Sequence, residues 1–146
     1  MGISSLSDIR GTGTKKGDLQ HFGNLWMDKV ALAATAGAGG VFNWQNPLKV
    51  AVQIIRVLVD VTVAAPAAVT VDVGTAADGA TSSDNLIDGA LLDAIALLDN
   101  IENRGTNGKS RQKLAARGGA SDFITATASA TPTSLAGNAY IMFIEV

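Results

Sequence analysis

The sequence predicts a mainly β protein: an antiparallel β-sandwich of jelly-roll type, with one short helix and an extended N-terminal arm. Two features of the 146-residue chain carry that prediction. From Ile55 to Val63 every odd position is apolar and β-branched (Ile55, Val57, Val59, Val61, Val63), while Arg56, Asp60 and Thr62 fall between them. Period two over such a run marks a long, half-buried strand. Val69, Val71 and Val73 repeat the pattern, with Thr70 and Asp72 facing the other way. The second feature is composition. The chain is 47% hydrophobic but only 5% aromatic and 16% charged. Ala, Val, Gly and Thr make up the difference. They pack flat apolar sheets and leave a sparsely charged surface, which favours cover by a partner.

Taken in order, residues 1–40 read as the arm. Gly11–Gly17 and Ala36–Gly40 are glycine-rich, and between them Phe22, Leu25 and Trp26 form an apolar anchor. Such an arm frays unless neighbouring chains hold it. Residues 41–146 read as the sandwich domain, opening with a short strand at Val41–Trp44 and a turn at Asn46-Pro47. The two valine runs, separated by five residues around Pro66, suit an antiparallel hairpin. Gly74–Asn85 is a polar loop, and Leu86–Gly89 a short strand or turn. Ala90, Leu91, Ala94, Ile95, Leu98 and Ile101 recur at helical spacing, which predicts a helix over 90–102. Gly108–Gly119 is a basic segment carrying Lys109, Arg111, Lys113 and Arg117. Phe123–Ala128 reads as a strand with its threonines outward. Ala139–Val146 is a strand apolar on both faces until Glu145, and so central or covered by a partner.

Little in the chain points to chemistry. The net charge of −2 gives no global drive onto nucleic acid or an anionic membrane. No apolar run approaches the length of a membrane span, and no basic, apolar leader opens the sequence. With no cysteine, disulfides, thiolate metal sites and thiol catalysis are excluded. A single histidine, His21, excludes a multi-histidine metal site and has no Ser or Asp arrangement around it that suggests a catalytic triad.

The candidate motifs all have ordinary readings. Gly11–Gly17 lacks the third glycine of a dinucleotide loop, and no apolar strand precedes it. Gly108-Lys109-Ser110 matches only the end of a phosphate-binding loop, since Asn103 stands where its first glycine belongs. Asp78, Asp84 and Asp88 supply carboxylates for calcium, but without the register of a helix–loop–helix calcium site. Aspartates in glycine- and serine-rich loops ordinarily cap turns. Asp93 and Asp99 are six apart on the expected helix, a poor spacing for one face. The basic cluster lacks interleaved aromatics, so protein contact is favoured over nucleic acid.

Val69–Gly74, Thr81–Gly89 and Gly137–Val146, in that order, resemble small β-rich structural proteins of tailed bacteriophages, often head decoration (cement) proteins. The resemblance spans residues 50–146. It implies a subunit in the virion that clamps the major capsid protein from outside, commonly as a homotrimer, with no catalytic residues, no cofactor, no direct nucleic acid contact and no membrane. The interface expected on this reading comprises Phe22, Leu25 and Trp26 in the arm, Ile54 and Leu58 on the mixed face of the long strand, and Lys109, Arg111, Lys113 and Arg117. Buried aromatics dominate interface energetics, which singles out the arm anchors. Leu58→Glu should then harm assembly more than folding. The alternatives are another virion role (tail, neck or fibre base), a calcium- or carbohydrate-binding sandwich module, and, last, a hydrolase.

Overall fold

A computed structural model describes residues 20–146, with side chains from Gly23 onward. The Gly11–Gly17 segment and the arm as far as residue 19 lie outside the described residues. Ten strands follow: β1 (Gln20–Phe22), β2 (Leu25–Ala31), β3 (Gly37–Gln45), β4 (Val52–Val63), β5 (Thr70–Ala76), β6 (Ile87–Leu91), β7 (Ala96–Asp99), β8 (Gln112–Leu114), β9 (Phe123–Ala128) and β10 (Ala136–Glu145). They form two antiparallel sheets. The larger runs β1-β2-β10-β4-β7, with β8 also paired to β4, and the smaller runs β3-β9-β5-β6.

The sheets pack face to face over one apolar core. Val57, Val59, Ile141 and Phe143 of the larger sheet meet Val41, Trp44, Val71, Val73 and Ile124 of the smaller. Trp44 and Phe143 touch across the gap, with ring centroids 5.2 Å apart at 51°. The Trp44 Nε1–H donates to Asp28 Oδ2 at 2.7 Å, tying β3 to β2. The predicted class, mainly β with two packed antiparallel sheets, therefore holds. β10 lies between β2 and β4, the central position its two apolar faces imply.

Several expectations are corrected. The two valine runs are not a hairpin, because β4 and β5 belong to different sheets. Period two fixes which face of a strand is buried but not which strand lies beside it. Here the buried faces of β4 and β5 both look into the core. The chain crosses between sheets at 64–69, anchored where the Ala65 N–H donates to the Leu92 carbonyl and the Leu92 N–H to that of Val69.

The long strand also changes face part-way. Val52 and Ile54 are fully buried, as are Val57, Val59 and Val61, while Ile55 is half-buried. In the register with β10, Ile54 faces Phe143 and Arg56 faces Met142, so Ile55 is an extra residue without a partner. This β-bulge shifts the alternation by one and turns the even positions inward before it and the odd ones inward after it. Ile54, expected on an interface, is therefore core.

No helix forms over 90–102. Ala90 and Leu91 end β6, Ala96–Asp99 form β7, and a turn follows. The residues at helical spacing do not share a buried face: Ala90 and Leu98 are buried, but Leu91, Ile95 and Ile101 are exposed. Gly89, with φ +72°, breaks the segment at its start. The Asp99 carboxylate accepts from the Ile101 and Glu102 N–H groups and closes the turn at its end. Thr125, expected outward, is fully buried, its hydroxyl donating to the Thr81 carbonyl beneath the polar loop.

Finally, the expected boundary at 40/41 falls inside β3. β2 pairs with β10 from Leu25↔Ile144 to Ala31↔Asn138, so the sandwich reaches back to at least Gln20. Trp26 is a core residue, 8% exposed, stacked on Phe143 with its Nε1–H donating to Glu145 Oε1 at 3.0 Å. Of the anchor read as an arm's grip on a neighbour, Trp26 is thus part of the sandwich's own packing.

Candidate interaction surface

The outer face of the larger sheet, away from the smaller one, is built by alternation on three strands. On β2, Trp26 points inward and Leu25, Met27 and Lys29 outward. On β10, Ala139, Ile141 and Phe143 are buried, and Tyr140, Met142 and Ile144 lie on the other face. Beyond the bulge, β4 turns Arg56, Leu58 and Asp60 outward. The registers align these residues in rows. Leu25 faces Ile144, Met27 faces Met142, which faces Arg56, and Lys29 faces Tyr140, which faces Leu58 and then Asp99. Neighbouring side chains on one face lie about 5 Å apart, close enough to form one continuous surface.

The centre of this face is apolar. Leu25 is 38% exposed, and Met27, Leu58, Tyr140, Met142 and Ile144 are half-buried. Both methionines of the described residues are here, and their pliable thioethers suit a surface that must fit a partner. The cations are few, and Arg56 is neutralised by its ion pair with Asp99. A contiguous apolar sheet face rimmed by polar groups marks an interaction site.

The expected interface residues divide. Leu25 and Leu58 lie on this face. Trp26 and Ile54 do not, being core. For Phe22 only the backbone is described, paired with Leu25. Lys109, Arg111, Lys113 and Arg117 are all exposed, but on β8 and its flanking turns at the sheet's edge. Met27, Tyr140, Met142 and Ile144 escaped the sequence reading as site residues. The apolar character of both faces of Ala139–Val146 was their signal.

The aspartates of the polar loops are engaged in turns. Asp78 caps its own turn, accepting from the Ala80 N–H and the Thr81 hydroxyl. Asp84 accepts from Asn107 Nδ2, and Asp88 from the Thr106 and Asn107 N–H groups. Asp78 thus serves its own turn, while Asp84 and Asp88 both hold the turn at Thr106–Asn107, and no group of three or more metal-binding side chains occurs among the described residues. An open recess of about 210 Å³ is lined by Asp72, Ser82, Ser83 and Asp84. Asp72 is already bound to the Gly89 N–H. Gly108-Lys109-Ser110 lies in the connection between β7 and β8, with neither the strand before it nor the helix after it that phosphate binding requires. Asp93 is exposed, whereas Asp99 is buried against Arg56, so they form no acid–base pair. The side chain of His21 is outside the described residues.

Two buried carboxylates are structural. Burial opposes the charge of Asp99, but bonds from Arg56 and from the Glu102 and Ile101 N–H groups outweigh it and hold the carboxyl below its ordinary value of 3.8. Asp122 is likewise disfavoured by burial and held low by the Gly118 N–H, the Gln45 amide and the Arg117 charge. A folded-state pKa below the unfolded one stabilises the fold above the unfolded value, and that stability is lost as pH falls through the folded one. Urea unfolding should therefore show a constant midpoint from neutrality to about pH 5 and a decline below about pH 4. Asp99→Asn with Asp122→Asn should flatten that decline at the expense of stability at neutral pH. An unchanged acid slope in the double variant would mean other carboxylates govern it.

No family model matches the chain, and no curated protein matches it. Among solved structures it is similar to a chain of the acidic stable capsid structure of Helicobacter pylori bacteriophage KHP30. The TM-score is 0.45 and the identity 13%, over 82% of this chain and 86% of that one. A likeness of this size is one of general architecture and carries no functional weight.

Proposed function

We propose that the chain is a structural virion protein, a decoration subunit that binds the major capsid protein and strengthens the head lattice. One observation carries the reading: the outer face of the larger sheet, apolar across β2, β10 and β4 on a chain with only 16% charged residues. The mechanism is burial of this face against capsid protein, at about 25 cal/mol per Å² of apolar area removed from water. The order of Val69–Gly74, Thr81–Gly89 and Gly137–Val146, which resembles that of phage head proteins, supports the same role. So does the use of the loop aspartates as turn caps instead of a site. A jelly-roll-like frame belongs to this proposal.

Leu58→Glu and Met142→Glu test it. Both side chains are outside the core, so each variant should unfold within a few degrees of the parent. Each should lose co-sedimentation with undecorated heads of the phage proposed to encode the chain, by about tenfold or more in affinity, because a buried unpaired carboxylate is costly at an interface. Full binding by both variants would remove this face from the interface. Unfolding of both would make it core.

A further inference from the structure

We propose that the open edge of the larger sheet, formed by β7 and β8, pairs with the same edge of a second copy of this chain about a twofold axis. The contact rests on this edge and is independent of the virion reading.

β10 pairs along one side of β4 from Val52 to Val63, so β7 and β8 share the other side. They lie end to end: β8 covers Val52–Ile54 and β7 covers Leu58–Val61. Between them, among the described residues, no strand pairs with β4. There the Asn100 side chain fills in, accepting from the Val57 N–H at 2.8 Å and donating to the Ser110 carbonyl at 2.9 Å. The edge is therefore one line with two halves.

The halves differ in a complementary way. The β7 half is apolar and acidic. Ile95 is 75% exposed and Leu97 62%; Asp60 faces Leu97 on β4, and the exposed Asp93 and Glu102 flank the strand in sequence. The β8 half is basic, with Lys109, Arg111 and Lys113 all exposed. The one ion pair among the described residues, Arg56–Asp99, uses none of these charges. A lysine on an edge strand usually prevents pairing, but exposed leucine and isoleucine on the same edge invite it. Each half thus offers what the other lacks, and lysine stems can cover apolar surface while their ammonium groups reach carboxylates.

Register locates the axis. Lys113 faces Gln53 and Leu97 faces Asp60, so the point midway between them lies at Arg56–Val57. A twofold axis there, perpendicular to the sheet, sets β8 of each copy antiparallel to β7 of the other. It brings Lys113 opposite Leu97 on the same face. The same patch then serves both copies, as an isologous contact requires. The two larger sheets become one, and their apolar outer faces join into a single surface of twice the extent.

The chain has no native cysteine, which makes the contact directly testable. The full-length Leu97→Cys/Lys113→Cys variant should form a covalent dimer under mild oxidation, while each single variant should stay monomeric on a non-reducing gel. By sedimentation, Lys113→Glu should weaken wild-type dimerisation about tenfold or more, and adding Asp60→Lys, at the position that faces Leu97, should restore most of it. Both cysteines replace exposed residues, so loss of folding is not expected, and circular dichroism verifies it. The proposal is overturned if the double cysteine variant yields no covalent dimer, if either single variant cross-links as well as the double, or if Lys113→Glu leaves self-association unchanged.

Discussion

Replacing Phe143 with alanine is expected to lower the thermal midpoint by about 10 °C, the largest effect of any single truncation in the core. Phe143 is fully buried on β10, the central strand of the larger sheet. Its ring stacks on Trp26 of the adjacent strand, with centroids 6.3 Å apart and planes within 5°, and meets Trp44 of the opposite sheet. One side chain therefore joins a lateral neighbour to the facing layer. Truncating a buried phenylalanine costs about 3–5 kcal/mol, and in a domain of this size each kcal/mol moves the midpoint by about 2–4 °C. The chain's two tryptophans are both ring neighbours of Phe143, so their emission should shift to longer wavelength in Phe143→Ala while far-ultraviolet dichroism is retained. Phe143→Leu should recover about half of the loss. A midpoint within about 3 °C of the parent for Phe143→Ala would mean that the sheets are held together elsewhere.

The aromatic trio also shows what the sequence could and could not reveal. The strands themselves were legible where one face alone is buried, as from Val57 to Val61 and at Val71 and Val73, and Phe123–Ala128 reads as a strand although Thr125 is buried on the face expected outward. The partners were not, because alternation encodes a face and no neighbour. That is why β4 and β5 read as a hairpin although they lie in opposite sheets. The bulge at Ile55 was hidden for a related reason. Val50–Val63 is apolar at so many positions that both phases fit its first half, and only pairing with β10 decides between them. The segment 90–102 failed differently. Its leucines and isoleucines satisfy helical spacing because some face the core and others face outward on an edge, and a moment summed over both cannot tell them apart. The exposed Ile95 and Leu97 that misled the helix reading are the same residues that mark the β7 edge. On the outer face, Leu58 was identifiable from the mixture around it, but Met27 required knowing that β2 lies beside β10.

Asn100→Leu is expected to destabilise the fold by about 3–4 kcal/mol although it exchanges a buried polar side chain for an apolar one of comparable size. Asn100 is fully buried and stands in for a missing strand. Its Oδ1 takes the Val57 N–H and its Nδ2 serves the Ser110 carbonyl, closing the gap between β7 and β8. Leucine satisfies neither, and each buried group left without a partner costs about 1–3 kcal/mol. Asn100→Asp separates the two bonds, since a carboxylate still accepts from Val57 but cannot donate to Ser110. It should fall between the parent and Asn100→Leu near pH 4 and lose ground as pH rises and the buried group ionises. Hydrogen exchange gives the local readout. The Val57 amide should exchange much faster in Asn100→Leu, while that of Val59, held within the β4–β7 ladder, should follow only the global loss. Equal acceleration at both positions would make Asn100 a core residue like any other. Faster exchange confined to Val57 and the 100–113 connection would make it the clamp that aligns β7 with β8, and so the residue on which the straight, two-halved edge depends.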